Sequence, residues 1–427
     1  MKQIKLEIKA LSPLAISRQK PGGSVSECED YIPGSVIRGA IASEILKRSG
    51  KQFEDLSRDG GDFQALFLGD EPAIFQNGYP SIKTKGKVIR KNQIEKIGVL
   101  PATALSSKTK SGFTTENNNG VFDSLIDRYC ADCYGFAYDP TCPKEKGGRV
   151  EPLTGFYSKL GNRYYSVKVN KRLLTRVGIN RRRATSEEEI LYSIEVINES
   201  EINSQNEKPV IFNSRILVAD NISEKLQKFI NDNNKNFRLG GSTSRGLGKV
   251  EMKIINLESK EDENKEDIKE RIKEKIEAFN NKLETRCKED WSIFGNPLKE
   301  LSEKDQYFTL DLQSDAILTD KWQHTTVISA QMLKLFTGVD DESLILEAAY
   351  SSYDYRSGWN SAWGLMKDLE LVTSKGAVYL FSTTQPESWY EKLAELELKG
   401  VGERTCEGFG QIEVCNQFHL VMRDKPV

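Results

Sequence analysis

A glycine-rich segment occurs twice in this sequence, at residues 240–248 (GGSTSRGLG) and 400–410 (GVGERTCEGFG). In each copy an arginine precedes Gly-x-Gly, directly in the first copy and after three residues in the second. Glycine adopts positive φ angles without steric cost, so such a segment bends sharply and lets its backbone approach a ligand closely. The two copies, 160 positions apart, therefore predict an internal duplication and a polyanionic ligand.

Neither copy is a nucleotide-cofactor loop. Each leads from a predicted amphipathic helix into a predicted strand, whereas a dinucleotide-binding loop leads from strand into helix. Neither copy ends in Gly-Lys-Ser or Gly-Lys-Thr, which excludes a Walker motif. We expect backbone N–H groups, with Arg245 and Arg404 in register, to bind a phosphate backbone. The alternative is a tight connection between helix and strand, in which the glycines allow the chain to turn and bind no ligand.

The predicted elements also define a fold class. In the first half they follow the order strand, helix, strand, strand, helix, strand: residues 3–10, a helix capped by Ser35, 190–197, 209–219, 222–233 and 248–257. This is the split βαβ order of a ferredoxin-like (RRM-like) domain, with a long insertion after its first helix. The order strand, helix, strand recurs at the end of the second half, at 377–381, 387–399 and 410–415. The sequence therefore predicts an α+β protein with two ferredoxin-like domains, at 1–257 and 306–427.

A charged segment, 258–305, separates the predicted domains. Residues 260–275 contain seven acidic and six basic side chains, with only a thin apolar stripe through them. This pattern favours a solvated linker helix with many ion pairs between residues four apart.

A local basic patch contrasts with the net charge of −2 for the chain. Residues 159–183 contain nine Lys or Arg and no acidic residue, and strands 167–177 and 188–197 are predicted to form a hairpin. Aromatic side chains interleaved with cations suit single-stranded nucleic acid, although a solvated surface loop is the alternative. The candidate RNA contacts here are Lys168, Lys171, Arg172, Arg176, Arg181, Arg182 and Arg183.

The glycine-rich segments add further candidates, and the two copies differ in charge. Lys249 follows the last glycine of the first copy, whereas Glu403 and Glu407 lie within the second. We therefore expect the first to bind RNA firmly, and the second to bind RNA weakly or to contact a protein neighbour. The candidates are Gly240, Gly241, Ser242, Arg245, Gly246, Gly248, Lys249, Arg404, Gly408 and Gly410.

The cysteines and acidic residues give weaker signals. Cys130, Cys133 and Cys142 have spacing that fits zinc or free thiols about equally, since a fourth ligand is not nearby. The two histidines are isolated, which argues against a histidine-based nuclease. Asp30, beside Glu29, is a weak catalytic candidate. The composition contains no membrane-spanning run, and the first residues alternate as in a strand, so we expect a cytoplasmic protein.

Several motifs resemble the RAMP superfamily of CRISPR-associated proteins. They are the glycine-rich segments, residues 31–39 (YIPGSVIRG, which includes Arg38), the hairpin segment 177–195 and residues 358–381. The last is similar to the C-terminal half of the two-RAMP subunit of subtype III-D effectors. Relatives place a Cys-Pro-x-Cys pair near Cys142, but here Cys142-Pro143 lacks the second cysteine.

The resemblance implies two RRM-like domains in a multisubunit complex. It implies binding of the 5′ handle of a CRISPR RNA by both glycine-rich segments and by Arg38, with the hairpin along the first guide or target RNA nucleotides. The implied partners are a large polymerase-like subunit and backbone RAMP subunits, with no required cofactor beyond possible structural zinc. The implied role is non-catalytic; the alternative is a metal-dependent endonuclease that cuts target RNA with Asp30.

Overall fold

The structure is a computed structural model that describes residues 1–18, 27–50, 55–81, 97–115, 117–145, 147–161, 163–180, 182–183, 185–203, 206–255, 265–302, 305–360 and 364–425. Within these ranges the α-helices are α1 (Gly34–Ser49), α2 (Leu56–Asp59), α3 (Asp62–Phe67), α4 (Leu125–Tyr134), α5 (Asp220–Asp232), α6 (Lys265–Thr285), α7 (Ala330–Thr337) and α8 (Tyr390–Lys399).

The strands up to residue 203 are β1 (Lys2–Ala10), β2 (Ser17–Arg18), β3 (Glu27–Cys28), β4 (Ile74–Phe75), β5 (Tyr79–Pro80), β6 (Ile97–Val99), β7 (Ala104–Ser107), β8 (Val121–Asp123), β9 (Val150–Pro152), β10 (Phe156–Leu160), β11 (Arg163–Val167), β12 (Lys171–Asn180), β13 (Thr185–Ile197) and β14 (Ser200–Asn203). The remaining strands are β15 (Asn206–Pro209), β16 (Ile211–Val218), β17 (Val250–Ile254), β18 (Gln306–Leu312), β19 (Thr319–Asp320), β20 (Gln323–His324), β21 (Ile345–Tyr350), β22 (Tyr353–Arg356), β23 (Trp359–Asn360), β24 (Leu365–Met366), β25 (Glu370–Thr373), β26 (Val378–Thr383) and β27 (Ile412–Val414).

The first unit has the predicted ferredoxin-like topology. Its antiparallel sheet has the order β17-β1-β16-β4, with α1 and α5 in the two crossover connections. Strand β1 alternates because Ile4, Leu6 and Ile8 are buried while their neighbours are more exposed, so one face of the strand packs on the core. The split βαβ order is present, but its second strand is β4 and not residues 190–197, which belong to β13 in a separate two-stranded sheet. A strand of two residues carries no periodic pattern, so the sequence did not reveal it.

The second unit repeats this topology. Its sheet has the order β27-β18-β26-β21, with α7 and α8 in the equivalent connections. All six residues of β26 are buried, so both faces of this strand are covered. That burial explains why residues 377–381 read as a continuous apolar run and do not alternate. The duplication expected from the glycine-rich segments is therefore present at the level of the fold.

Helix α6 is not the solvated linker that its charge predicts. Ile272, Ile276, Phe279 and Leu283 are each at most 2% exposed and belong to the core of the second unit. These residues recur every three or four positions, so they form one stripe on the helix. The charged residues occupy the remaining surface. A thin stripe is enough to bury a long helix when the stripe is continuous.

Helix α4, part of the insertion in the first half, packs on the second unit, although the sequence predicts that residues 1–257 form the first domain. Helix α4 joins the core that contains α6 and β18. Its Asp127 is fully buried and accepts hydrogen bonds from Arg286 at 2.7 and 3.1 Å and from the indole of Trp291 at 3.0 Å. Both oxygens of the buried carboxylate thus have donors, which offsets much of its desolvation cost.

A second buried ionic contact lies at His419. This fully buried imidazole donates to Asp311 of β18 at 2.7 Å, and Asp123 of the insertion lies 3.1 Å from its other nitrogen. Burial opposes the charged imidazole, but the two carboxylates outweigh that effect and raise the pKa of His419 from 6.5 to about 10. The imidazolium therefore ties the insertion to the second unit.

The raised pKa of His419 predicts a pH-dependent stability. Folding favours the protonated imidazole, so its contribution is complete below pH 6.5 and disappears as the pH rises through about 10. His419→Gln should lower the free energy of unfolding by about 3–5 kcal/mol at acidic to neutral pH, because two carboxylates lose their cation. The difference from the unmodified chain should shrink toward pH 10. Thermal melts of both chains between pH 6.5 and 10 measure this difference in stability. The exposed His324→Gln is the matched control, and a pH-independent difference would contradict the assignment.

Candidate nucleic-acid interface

The first glycine-rich segment forms a rigid turn. Positive φ angles occur at Gly240, Ser242, Gly246 and Gly248, around a 3-10 turn at Thr243–Arg245. The Gly241 N–H donates to the carbonyl of Ala15 at 2.8 Å, and that of Gly248 donates to Pro13 at 2.9 Å. A Cβ on Gly240 would overlap the carbonyl of Ala15, so the glycine is required by space as well as by φ. We call residues 240–248 the first turn.

The second segment, residues 402–410 or the second turn, has the same conformation. Positive φ angles recur at Gly402, Arg404, Gly408 and Gly410, and a 3-10 turn spans Thr405–Glu407. The N–H groups of Glu403 and Gly410 donate to Ile317 and Asp315 at 2.9 Å, as Gly241 and Gly248 do to Ala15 and Pro13. The backbone therefore aligns the two turns position by position.

This alignment corrects the predicted register of the arginines. Ser242 and Arg404 occupy the same position, and Arg245 corresponds to Glu407. Arg245 and Arg404 are thus not equivalent. The error arose because the arginines were matched to each other, whereas the positive φ angles determine the register.

The surroundings of the first turn are open. Ser244, Arg245 and Gly246 are exposed, and no atom lies within 4 Å of the place where a Cβ on Gly246 would stand. A ligand can therefore reach the turn from solvent.

The basic hairpin lies directly against the first turn. Strands β12 and β13 pair over Lys171–Asn180 and Thr185–Ile197, which confirms the predicted hairpin. The Arg245 guanidinium donates to the hydroxyl of Tyr192 and lies 5.5 Å from the centre of its ring. Arg176 reaches the carbonyl of Arg245 at 3.5 Å. Two arginines and a tyrosine thus meet at one exposed place, which suits phosphate pairing and base stacking.

Comparison with known proteins identifies the family. The model of the RAMP superfamily matches residues 7–251. This match covers more than half of the chain. The chain belongs to the RAMP superfamily.

Solved structures with a similar backbone include chains of two type III-B Cmr-beta complexes, one bound to cognate target RNA and one bound to cognate target RNA and AMPPnP. They are 14% and 13% identical, with TM-scores of 0.41 and 0.40, and each match covers 88% of this chain and 86% of the other. A chain of a type IV-B CRISPR complex matches at 10% identity and a TM-score of 0.28, over 61% of this chain and 92% of the other. No curated protein matches the sequence significantly.

In this RAMP protein the second turn is covered by the first unit. Gly408 and Gly410 are buried, and Gly408 packs against Gly34 of α1, the carbonyl of Phe75 and the amide of Asn77. A Cβ on Gly34 would lie 2.8 Å from the carbonyl of Glu407 in the second turn. The two units therefore meet backbone against backbone. RNA contact through Gly408 would require the units to separate.

Arg404 is also engaged within the protein. Its guanidinium donates to Glu407 at 2.6 Å, and Lys367 lies 3.2 Å from the same carboxylate. Burial alone would raise the pKa of Glu407, but the two cations outweigh burial and lower it. The charge of Arg404 is therefore balanced inside its own turn.

Two of the other predicted contacts are bonded within the protein. Arg38 donates to the carbonyl of Phe67 at 3.2 Å, and Arg172 pairs with Glu199 at 2.9 Å. Both contribute to local packing. The exposed candidates are Lys168, Lys249, Arg182 and Arg183, while Arg181 lies outside the described residues.

The weak catalytic candidate Asp30 is held in an ion pair. Its carboxylate lies 2.5 Å from Lys171, which also donates to the carbonyl of Cys28. The neighbouring Glu29 is 5% exposed and pairs with Arg356 of the second unit. The acidic loop therefore links the hairpin to the other unit, a role that the sequence did not indicate.

Only two of the three cysteines predicted as zinc ligands come together. Cys130 and Cys133 lie on α4, where both contact the thiol of Cys287, whereas Cys142 lies apart and accepts a weak hydrogen bond from Asn119 at 3.6 Å. Among the described residues no group of three or more His, Cys, Asp or Glu side chains is arranged to hold a metal ion. None of the helices in the described ranges has the length and apolar character that a membrane span requires.

The contact between the units predicts an asymmetric effect of adding one methyl group to α1. Gly34→Ala should lower the free energy of unfolding by roughly 1–3 kcal/mol, because its Cβ meets the carbonyl of Glu407 in the second turn as well as that of Phe75 in its own unit. Gly39→Ala on the same helix has open space and should stabilise by about 0.5–1 kcal/mol. Urea denaturation measures both. Equal stability of the two variants would show that the units do not pack through Gly34.

Proposed function

We propose that this RAMP protein is a non-catalytic RNA-binding subunit of a type III CRISPR effector complex. It would bind the 5′ handle of the CRISPR RNA and support recognition of target RNA. Its partners would be the large polymerase-like subunit and the backbone RAMP subunits of that complex. The resemblance of residues 358–381 to the two-RAMP subunit supports subtype III-D.

One observation carries the proposal: the first turn is open and stands beside the basic hairpin. Arg245, Arg176 and Tyr192 converge there, and exposed Lys249, Arg182 and Arg183 add positive charge nearby in the sequence. Arginine pairs with phosphate oxygens, and tyrosine stacks on bases that are not paired. A flexible single strand fits this arrangement better than a rigid duplex, because both the phosphates and the base faces are accessible.

The proposal assigns RNA contact to the first turn and not to the second. Arg245→Ala should weaken binding of the guide RNA and reduce the slope of log K against log salt by about one unit, since one phosphate contact is lost. Arg404→Ala is the matched control, because its partner in the second turn is Glu407. Filter binding over a salt series measures both. Equal losses in the two variants, or none in either, would contradict the assignment.

The absence of a catalytic role is the second part of the proposal. A metal-binding or general-base site needs carboxylates that can reach the ligand, whereas Glu29 is buried against Arg356. Asp30 is exposed, but the cation of Lys171 beside it opposes binding of a metal ion. In a reconstituted complex Asp30→Ala should leave the position and rate of target RNA cleavage unchanged. Copurification of all subunits confirms assembly. If site-specific cleavage disappears while assembly survives, the chain is the metal-dependent endonuclease instead.

A further inference from the structure

The β19–β20 hairpin carries an unusual tip. Its two central residues, Lys321 and Trp322, both have positive φ angles, of 48° and 68°. Two-residue hairpin turns with this geometry favour Asn-Gly, because bulky side chains are disfavoured in the left-handed region. Trp322 is nevertheless at the second position, and its side chain is 98% exposed.

Exposure alone would mean little, since single apolar side chains are common on protein surfaces. Two consecutive residues in a disfavoured conformation are different, because such strain persists only where the surrounding structure fixes it and is often found at functional sites. The hairpin is fixed by the pairs Thr319 with His324 and Asp320 with Gln323. Thr319 also donates to Glu403 of the second turn at 2.7 Å.

The hairpin has a counterpart in the first unit. The carbonyl of Ile317, just before β19, accepts a hydrogen bond from an N–H group of the second turn. In the same way, the carbonyl of Ala15, just before β2, accepts one from the first turn. The β2–β3 and β19–β20 pairs are therefore equivalent segments, each attached to its own glycine-rich turn. Trp322 thus lies at the tip of a hairpin that is attached to the second turn.

We infer that Trp322 stacks on an unpaired base of bound RNA, an inference that rests on the RNA-binding function proposed above. The neighbours of Trp322 decide between RNA and a protein partner. Lys321, Gln323 and His324 are all exposed and polar. An aromatic anchor for a protein normally lies within an apolar, desolvated patch, whereas base-stacking aromatics in single-strand binders stand among cations and polar groups. The tip of this hairpin therefore resembles a base-stacking site more than a protein-binding site.

The first test compares Trp322→Ala with Trp322→Tyr in the full chain, using a fluorescein-labelled polyuridine oligonucleotide as probe. Loss of one stacked base should weaken binding about 5- to 150-fold in Trp322→Ala, whereas tyrosine retains an aromatic face and most of the affinity. Stacking releases no counterions, so the salt slope should stay unchanged in Trp322→Ala, unlike in Arg245→Ala.

A second variant separates binding from folding. The double substitution Lys321→Asn with Trp322→Gly installs the residues that the turn geometry favours, so the melting temperature should rise while RNA binding falls. The chain contains five tryptophans, so the fluorescence of Trp322 is read as the difference between the unmodified chain and Trp322→Phe. Quenching on addition of the oligonucleotide should be present in the unmodified chain and reduced in Trp322→Phe.

The outcomes distinguish this inference from the proposed function. If Arg245→Ala weakens RNA binding and Trp322→Ala does not, the stacking role of Trp322 is overturned and the RNA-binding function stands. If neither variant changes RNA affinity, both fail. If Trp322→Ala instead loses a protein subunit from the reconstituted complex at unchanged RNA affinity, Trp322 is a protein anchor and the inference is wrong.

Discussion

The architecture depends on a contact in which backbone meets backbone, between Gly34 at the start of α1 and Gly408 in the second turn. A Cβ at Gly408 would lie 2.7 Å from the side-chain oxygen of Asn77 and 2.9 Å from the carbonyl of Phe75. Neither position tolerates a larger residue without a shift of the main chain. This contact makes two units of the same fold unequal: it covers the turn of the second unit and leaves that of the first in solvent.

Buried charges strengthen the same boundary. Arg356 of the second unit donates to Asp315 at 2.8 Å and to the hydroxyl of Tyr31 at 2.9 Å, and it pairs with Glu29 of the first unit. Desolvated ion pairs contribute little net stability, but an unpaired member is costly, so they favour one relative arrangement of the units. The acidic loop at residues 29–30 is thereby fixed beside the hairpin that Lys171 begins. The position of the basic hairpin is in this way coupled to the contact between the units.

The sequence predicts the features that depend on local pattern. Periodicity located β1, β16 and β17 of the first sheet and β26 and β27 of the second, but it missed β4 and β21 and assigned residues 190–197 to the wrong sheet. The density of cations located the β12–β13 hairpin. Prediction from the sequence failed where the outcome depends on the rest of the fold. Charged residues outnumber apolar residues in α6, yet its apolar stripe is buried because the second sheet offers a matching surface. The register of Arg245 and Arg404 was wrong because φ angles are invisible in a residue alignment. The same reason hides Trp322, since nothing in Asp-Lys-Trp-Gln indicates a turn with two positive φ angles.

The paired turns also show what glycine does and does not indicate. A Cβ at Gly402 would overlap the carbonyl of Ile317, and one at Gly410 the carbonyl of Val401, so the second turn needs these glycines simply to fold. Their presence is therefore no evidence of a ligand. The functional difference lies at the positions between them, where the backbone is the same and the side chains are not: Arg245 in the first turn corresponds to Glu407 in the second. Because one turn presents a cation to solvent and the other a carboxylate to its neighbours, the duplicated fold supplies one solvent-facing turn and one internal joint.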